Sequence, residues 1–208
     1  MERMVLNALP PGQVWARNWV IYSALGTPKI DPQHWRLKVE GLVENEASYG
    51  YEQLLAMVDV EYVRSFHCVT KWSIDNVKWT GVRIKTLLEK SKPKQEAKWV
   101  MFGCADGYTA PIPLEDALHD EAIVALKMND KPLNVDQGFP ARPFIPHLYG
   151  WKSAKWLTEI TLIPSYVDGY WEMYGYHERG NVWEEERFKG MGFKHAKRRA
   201  AGIIREEI

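Results

Sequence analysis

The chain has 208 residues, of which 46% are hydrophobic and 26% charged, with 10 tryptophans. Its 27 lysines and arginines balance 27 aspartates and glutamates, which argues against a nucleic-acid or membrane-surface binder that works by neutralising phosphates. At roughly 150 residues per domain and with no internal repeat or linker-like stretch, one domain over 1–208 is expected. The first residues, MERMVLNALPPGQ, lack the apolar run of about seven or more that marks a secretory leader, and no stretch reaches the ~18 apolar residues of a membrane span. A cytoplasmic protein with no membrane span is the expectation. Cys68 and Cys104 form no CxxC pair, and two thiols make no disulfide framework.

Prolines and glycines break residues 1–33 into an irregular arm. Trp35 to Gly41 alternates apolar and polar positions as a half-buried strand does. Leu54, Leu55 and Val58 stand at helical spacing, which predicts a short helix over 51–58. Val60 to Cys68 reads as a strand that delivers His67 and Cys68 to a loop. No element is assigned to 72–81, and a second short helix is expected over 82–90. Lys98 to Gly103 is an apolar strand ending at Cys104, and Leu114 to Leu118 a helical turn or two. Strands over 122–128 and 131–133 flank Asn129-Asp130, a hairpin-like pair. Strands are also expected over 139–146 and 155–163, the first held to an edge by Pro140, Pro143 and Pro146. Short helices that do not alternate regularly with strands indicate an irregular α+β domain with a mixed sheet. From Tyr166 to 208 the tail interleaves aromatics with Glu184-Glu185-Glu186 and with Lys194, Lys197, Arg198 and Arg199. Phe193 and the other aromatics imply that this tail is docked on the domain, since a free tail has no use for them.

Two segments carry residues with chemistry. The first is Phe66-His67-Cys68-Val69-Thr70-Lys71-Trp72-Ser73, followed by Trp79-Thr80-Gly81-Val82. His67 and Lys71 beside Cys68 favour a thiolate, although a buried structural cysteine fits the same residues. The second runs from Gln137-Gly138-Phe139-Pro140-Ala141-Arg142 through Tyr149-Gly150-Trp151-Lys152-Ser153-Ala154-Lys155-Trp156. Between 127 and 155, Lys127, Lys131, Arg142, Lys152 and Lys155 outnumber Asp130 and Asp136, an excess of three positive charges. An anion site and a plain surface charge cluster both fit that excess, and Arg142 is suited to forking a phosphate or carboxylate.

Together with the ending Trp171-Glu-Met-Tyr-Gly-Tyr-His-Glu-Arg-Gly180, these motifs resemble the small prokaryotic sulfite oxidase-like molybdopterin-dependent oxidoreductases, over about 18–188. The resemblance implies a sulfite oxidase-type molybdopterin-binding fold. It further implies one molybdenum (or tungsten) held by a molybdopterin dithiolene and by the Cys68 thiolate, a soft ligand for such a metal. By motif matching, Gln137, Arg142, Ser153, Ala154 and Lys155 fall on cofactor-binding positions, with Asn18, Trp19, His67 and Cys104 as further candidates. Tyr176 matches an active-site tyrosine. Gln137 stands where relatives have histidine or asparagine. Lys71, Trp72 and Ser73 stand where sulfite oxidases carry substrate-binding arginines. The implied activity is oxygen-atom or electron transfer on a small S-oxide, N-oxide or sulfur oxyanion, with a separate redox carrier as partner. A molybdopterin-binding protein without turnover and a thiol redox protein using Cys68 and Cys104 are the alternatives.

Overall fold

The computed structural model of the chain describes residues 8–190. The arm residues 1–7 and the tail residues Phe193, Lys194, Lys197, Arg198 and Arg199 lie outside the described residues.

Two sheets and three short helices make up the described fold. The first sheet holds β1 (Val14–Trp15), β4 (Val60–His67), β5 (Trp72–Arg83), β8 (Ile123–Met128), β9 (Lys131–Pro132) and β10 (Arg142–Phe144). The second holds β2 (Leu37–Gly41), β3 (Ala47–Tyr49), β6 (Trp99–Cys104), β7 (Thr109–Pro113) and β11 (Leu157–Ile163), in the order β3-β2-β11-β6-β7. Both sheets are mixed: β1 runs parallel to β5 and β11 parallel to β2, and the other pairs are antiparallel. The α+β expectation is met.

The larger core draws on both sheets. Leu37 and Val39 of β2, Phe102 of β6 and Ile160 of β11 pack with Val82, Val124 and Leu126 from the first sheet. On β8 the alternate residues Ile123 and Ala125 go to a second cluster with Trp79 and Phe144. A strand covered on both faces reads as an apolar run rather than an alternation, as β8 does. The helices α1 (Tyr51–Ala56), α2 (Ile84–Ser91) and α3 (Leu114–Ala117) connect β3 to β4, β5 to β6 and β7 to β8. Ile84, Leu87, Leu88 and Ser91 are buried on α2, the i, i+3, i+4, i+7 face of an amphipathic helix.

The structure corrects several boundaries. The longest strand, β5, occupies 72–83, although the sequence pattern assigns no element to 72–81, and the helix expected over 82–90 starts only at Ile84 because Val82 and Arg83 complete β5. Asp75-Asn76 hides this strand: Asn76 has φ 54° and reads as a turn residue. β7 is also absent from the sequence pattern because Pro111 and Pro113 interrupt it. β10 carries Pro143 and ends the strand order of its sheet, so the missing N–H leaves no partner unpaired there. Gly81 permits the close pairing of β5 and β8: a Cβ there would stand 2.1 Å from the Val124 carbonyl oxygen.

Candidate functional site

Cys68 follows β4 and opens the tight turn into β5, where His67 pairs with Ser73. The turn closes with Cys68 N–H donating to the Trp72 carbonyl (2.8 Å) and Lys71 N–H to the Cys68 carbonyl (3.1 Å). Lys71 has φ 75°, a left-handed turn conformation. Successive side chains of a strand point to opposite faces. Phe66 and Cys68 accordingly line one cavity, of about 490 Å³, and His67 lines another, of about 710 Å³. His67 Nδ1 is 2.8 Å from Ser73 Oγ, and burial pushes its imidazole down to about 4. The Cys68 sulfur is half-buried and 3.2 Å from the Thr70 hydroxyl.

Of the residues singled out from the sequence, Trp19, Cys68, Gln137 and Arg142 share the smaller cavity. Ser153, Ala154, Lys155 and Tyr176 line it as well. Three others do not. Asn18 is exposed, His67 faces the second cavity, and Cys104 is buried at the end of β6 against Tyr108, Ala110 and Ala154. Burial raises the Cys104 thiol well above its usual value.

Four charged residues line the cavity, the cations Arg142 and Lys155 and the carboxylates Asp106 and Asp136. Arg142, on β10, is buried, and its guanidinium is spent on neutral acceptors: Nε on Ser153 Oγ (2.9 Å), Nη1 on the Gln137 carbonyl (2.9 Å), and Nη2 on the Ser153 carbonyl (2.6 Å). Burial holds it down to about 10. Lys155 Nζ donates to Ser23 Oγ (2.6 Å) and lies 4.3 Å from the Trp156 ring centre. Burial first, and then the charge of Arg142, lowers Lys155 to about 8. Among the described residues, neither cation has a carboxylate within ion-pair distance, while most other buried or half-buried cations do. Lys152 is not part of this pair: it is buried behind the cavity on Glu172.

Aromatic rings line the cavity as well. Tyr176 lies 5.0 Å from Trp171 and stacks on Trp151 at 5.1 Å, between ring centres. Burial holds the Tyr176 phenol above its usual value. The arm contributes Trp19, packed on Phe66 at 4.9 Å, and Tyr22, 6.2 Å from Trp171. Tyr22, Ser23, Tyr108 and Trp171 are cavity residues that the sequence reading does not single out as site residues. Only the motif around Trp171 offered a signal, since the arm and Tyr108 reach the cavity through long-range packing.

The family described as oxidoreductase molybdopterin binding domain matches residues 24–171. The chain is 38% identical to the uncharacterized oxidoreductase YuiH of Bacillus subtilis over 182 residues, covering 86% of this chain and 91% of YuiH. It is 27% identical to the protein-methionine-sulfoxide reductase catalytic subunit MsrP of Campylobacter jejuni, over 79% of this chain and 64% of that one. The sulfane dehydrogenase SoxCD of Paracoccus pantotrophus shares the fold, with a TM-score of 0.63 at 21% identity over 72% of this chain and 42% of that one. The chain therefore spans less than two thirds of MsrP and of the SoxCD chain. No helix among the described residues is long and apolar enough to cross a membrane. The matched span contains Cys68, Arg142 and Lys155, and the chain belongs to the oxidoreductase molybdopterin-binding family, as a sulfite oxidase-like molybdenum-dependent oxidoreductase.

Proposed function

We propose that the Cys68 thiolate binds the metal of a molybdopterin cofactor seated in the cavity of about 490 Å³, and that the site reduces or forms a small S-oxide or N-oxide. The observation that carries this reading is the buried guanidinium of Arg142 beside Lys155, hydrogen-bonded only to neutral acceptors and with no carboxylate within ion-pair distance among the described residues. A buried cation without a counter-ion is costly, and an anionic ligand removes that cost. The residues fit a molybdopterin: two cations for its phosphate, the side-chain amide of Gln137 for its polar ring, and a soft sulfur at Cys68.

When bound, the cofactor supplies a metal able to exchange two electrons and an oxygen atom with substrate. The protein supplies the rest. Arg142 and Lys155 would hold the cofactor's phosphate. Tyr176, a phenol protonated at neutral pH and held further from ionisation by burial, could donate a hydrogen bond to the oxygen of the substrate. Reduction of an S-oxide takes two electrons and two protons and releases a thioether and water, the electrons arriving from a separate redox carrier. The residues beside Cys68 on the cavity wall are Val69, Thr70 and Trp72. None of them is cationic, which favours a neutral oxide over sulfite. The named activity of MsrP, on protein methionine sulfoxide, supports the same substrate class.

The test is elemental analysis of protein purified from a molybdopterin-competent host. About one molybdenum or tungsten per chain, absent from Cys68→Ala, is the expected result. Full metal content in Cys68→Ala would remove Cys68 from the metal.

A further inference from the structure

Cys68 sits on a turn of the backbone, and that turn is held by two side chains from opposite ends of the chain. Gln13, buried in the arm before β1, donates from Nε2 to the Cys68 carbonyl (3.0 Å) and accepts at Oε1 from Ser73 Oγ (3.2 Å). Ser73 in turn contacts His67 Nδ1. Arg187, buried in the tail, donates from Nη1 to the Val69 carbonyl and from Nη2 to the Pro11 carbonyl (3.2 Å). Its guanidinium lies 4.8 Å from the Tyr149 ring centre. Two consecutive carbonyls of the turn, at Cys68 and Val69, are therefore each tied to a side chain distant in sequence. Gln13 and Arg187 both fall outside the span 24–171 matched by the family.

We infer that Gln13 and Arg187 are positioning residues that hold the 68–71 turn so that the Cys68 sulfur faces the cavity. The orientation of a ligand side chain follows from its backbone. A turn that presents a carbonyl to each of two buried donors has little freedom to rotate, because a rotated peptide leaves both a donor and an acceptor unpaired. Arg187 also joins Pro11 to Val69, so the arm and the turn are registered together. Groups outside the ligand set that orient a ligand in this way alter metal affinity when removed. The inference rests on the reading of Cys68 as the metal ligand, but its first readout needs no metal.

Gln13→Met removes the donor to Cys68 without adding a charge, and Arg187→Lys keeps the charge but cannot span both carbonyls. In metal-free protein, amide hydrogen exchange at Lys71 and Cys68 is expected to quicken about three- to tenfold in each variant, the effect of one lost hydrogen bond. The amides of β6 and β11 in the other sheet are expected to keep wild-type rates. In loaded protein, metal affinity is expected to fall about tenfold or more, with a shift of the sulfur-to-metal charge-transfer band. Wild-type turn exchange and an unmoved band in both variants overturn the inference. So does quickening of both sheets together, which marks a purely structural role. Retention of metal by Cys68→Ala refutes the ligand reading instead, while the exchange rates in metal-free protein still decide whether Gln13 and Arg187 hold the turn.

Discussion

Lys152 Nζ lies 2.6 Å from Glu172 Oε1, and the two side chains are 1% and 0% exposed. The ammonium also donates to the carbonyls of Pro111 and Glu178, and Trp151 Nε1 donates to the same carboxylate oxygen at 2.7 Å. The pair joins the helical turn Gly150–Lys152 to the helical turn Glu172–Tyr174, fixing Trp151, Trp171 and Tyr176 relative to one another. Removing one member of a buried pair strands the other charge, at a cost of about 3–5 kcal/mol. Lys152→Met is therefore expected to lose about that much stability in urea unfolding, and adding Glu172→Gln should restore a large part of it. Additive losses in the double variant would show that the two charges do not act as a pair.

Arg142 supplies three charge-assisted hydrogen bonds to its own framework and keeps its charge in the cavity wall. Arg142→Ala is expected to weaken cofactor retention by roughly ten- to a hundredfold, the scale of one or two hydrogen bonds to a charged group. The measurement is pterin and metal content after gel filtration, alongside turnover per loaded site. Unchanged content with reduced turnover per site would assign Arg142 to the reaction instead of to the cofactor.

Lys155, lowered to about 8, faces Arg142, with Asp136 and Asp106 nearby. An anion bound beside it raises its proton affinity, so binding takes up a proton above about pH 8. The affinity of the metal-free protein for sulfate, which does not titrate in this range, is accordingly expected to be flat below that pH and to fall as the pH rises through it. Calorimetric titration across this range checks the sign, and Lys155→Ala should remove the dependence. A pH dependence that survives in Lys155→Ala would assign it to another group.

His67 titrates near 4 in the folded chain, against about 6.5 when unfolded. The unfolded state therefore binds the proton first. The neutral ring contributes its full stability above about pH 6.5 and loses it as the pH falls toward 4, by about 3 kcal/mol in all. Denaturant unfolding of wild type and His67→Gln between pH 7 and about 4 should show the wild type losing the larger share. Parallel curves would place the acid sensitivity elsewhere.

Much of the fold was legible locally. β2, β4, β6, β8 and α2 follow from the spacing of apolar residues, since each buries a face in one of the two core clusters and β8 one face in each. The Cys68 motif sits at a strand end as its pattern predicts. β5 and β7 were hidden because Asn76, Pro111 and Pro113 are turn or breaker residues that tertiary pairing overrides. The β2–β11 pair was out of reach for another reason: its partners, such as Val39 and Ile160, are far apart in the chain, and no local pattern reports such a pairing.

From the sequence alone, the class of chemistry came through the resemblance of its ordered motifs to a family, since singly the same residues fitted a structural cysteine and a surface charge cluster. Cys68, Arg142, Ser153 and Lys155 are chemically specific residues in ordered motifs, and their identity does not depend on where neighbouring elements pack. Only the tertiary structure decided which charges face the cavity and which are neutralised behind it. Lys152 and Lys155 are three positions apart in the sequence, yet one is buried on Glu172 and the other lines the cavity. His67 and Cys68 are adjacent, yet they open on different cavities. Desolvation and strand alternation act on three-dimensional surroundings, and a linear count of charge cannot contain them.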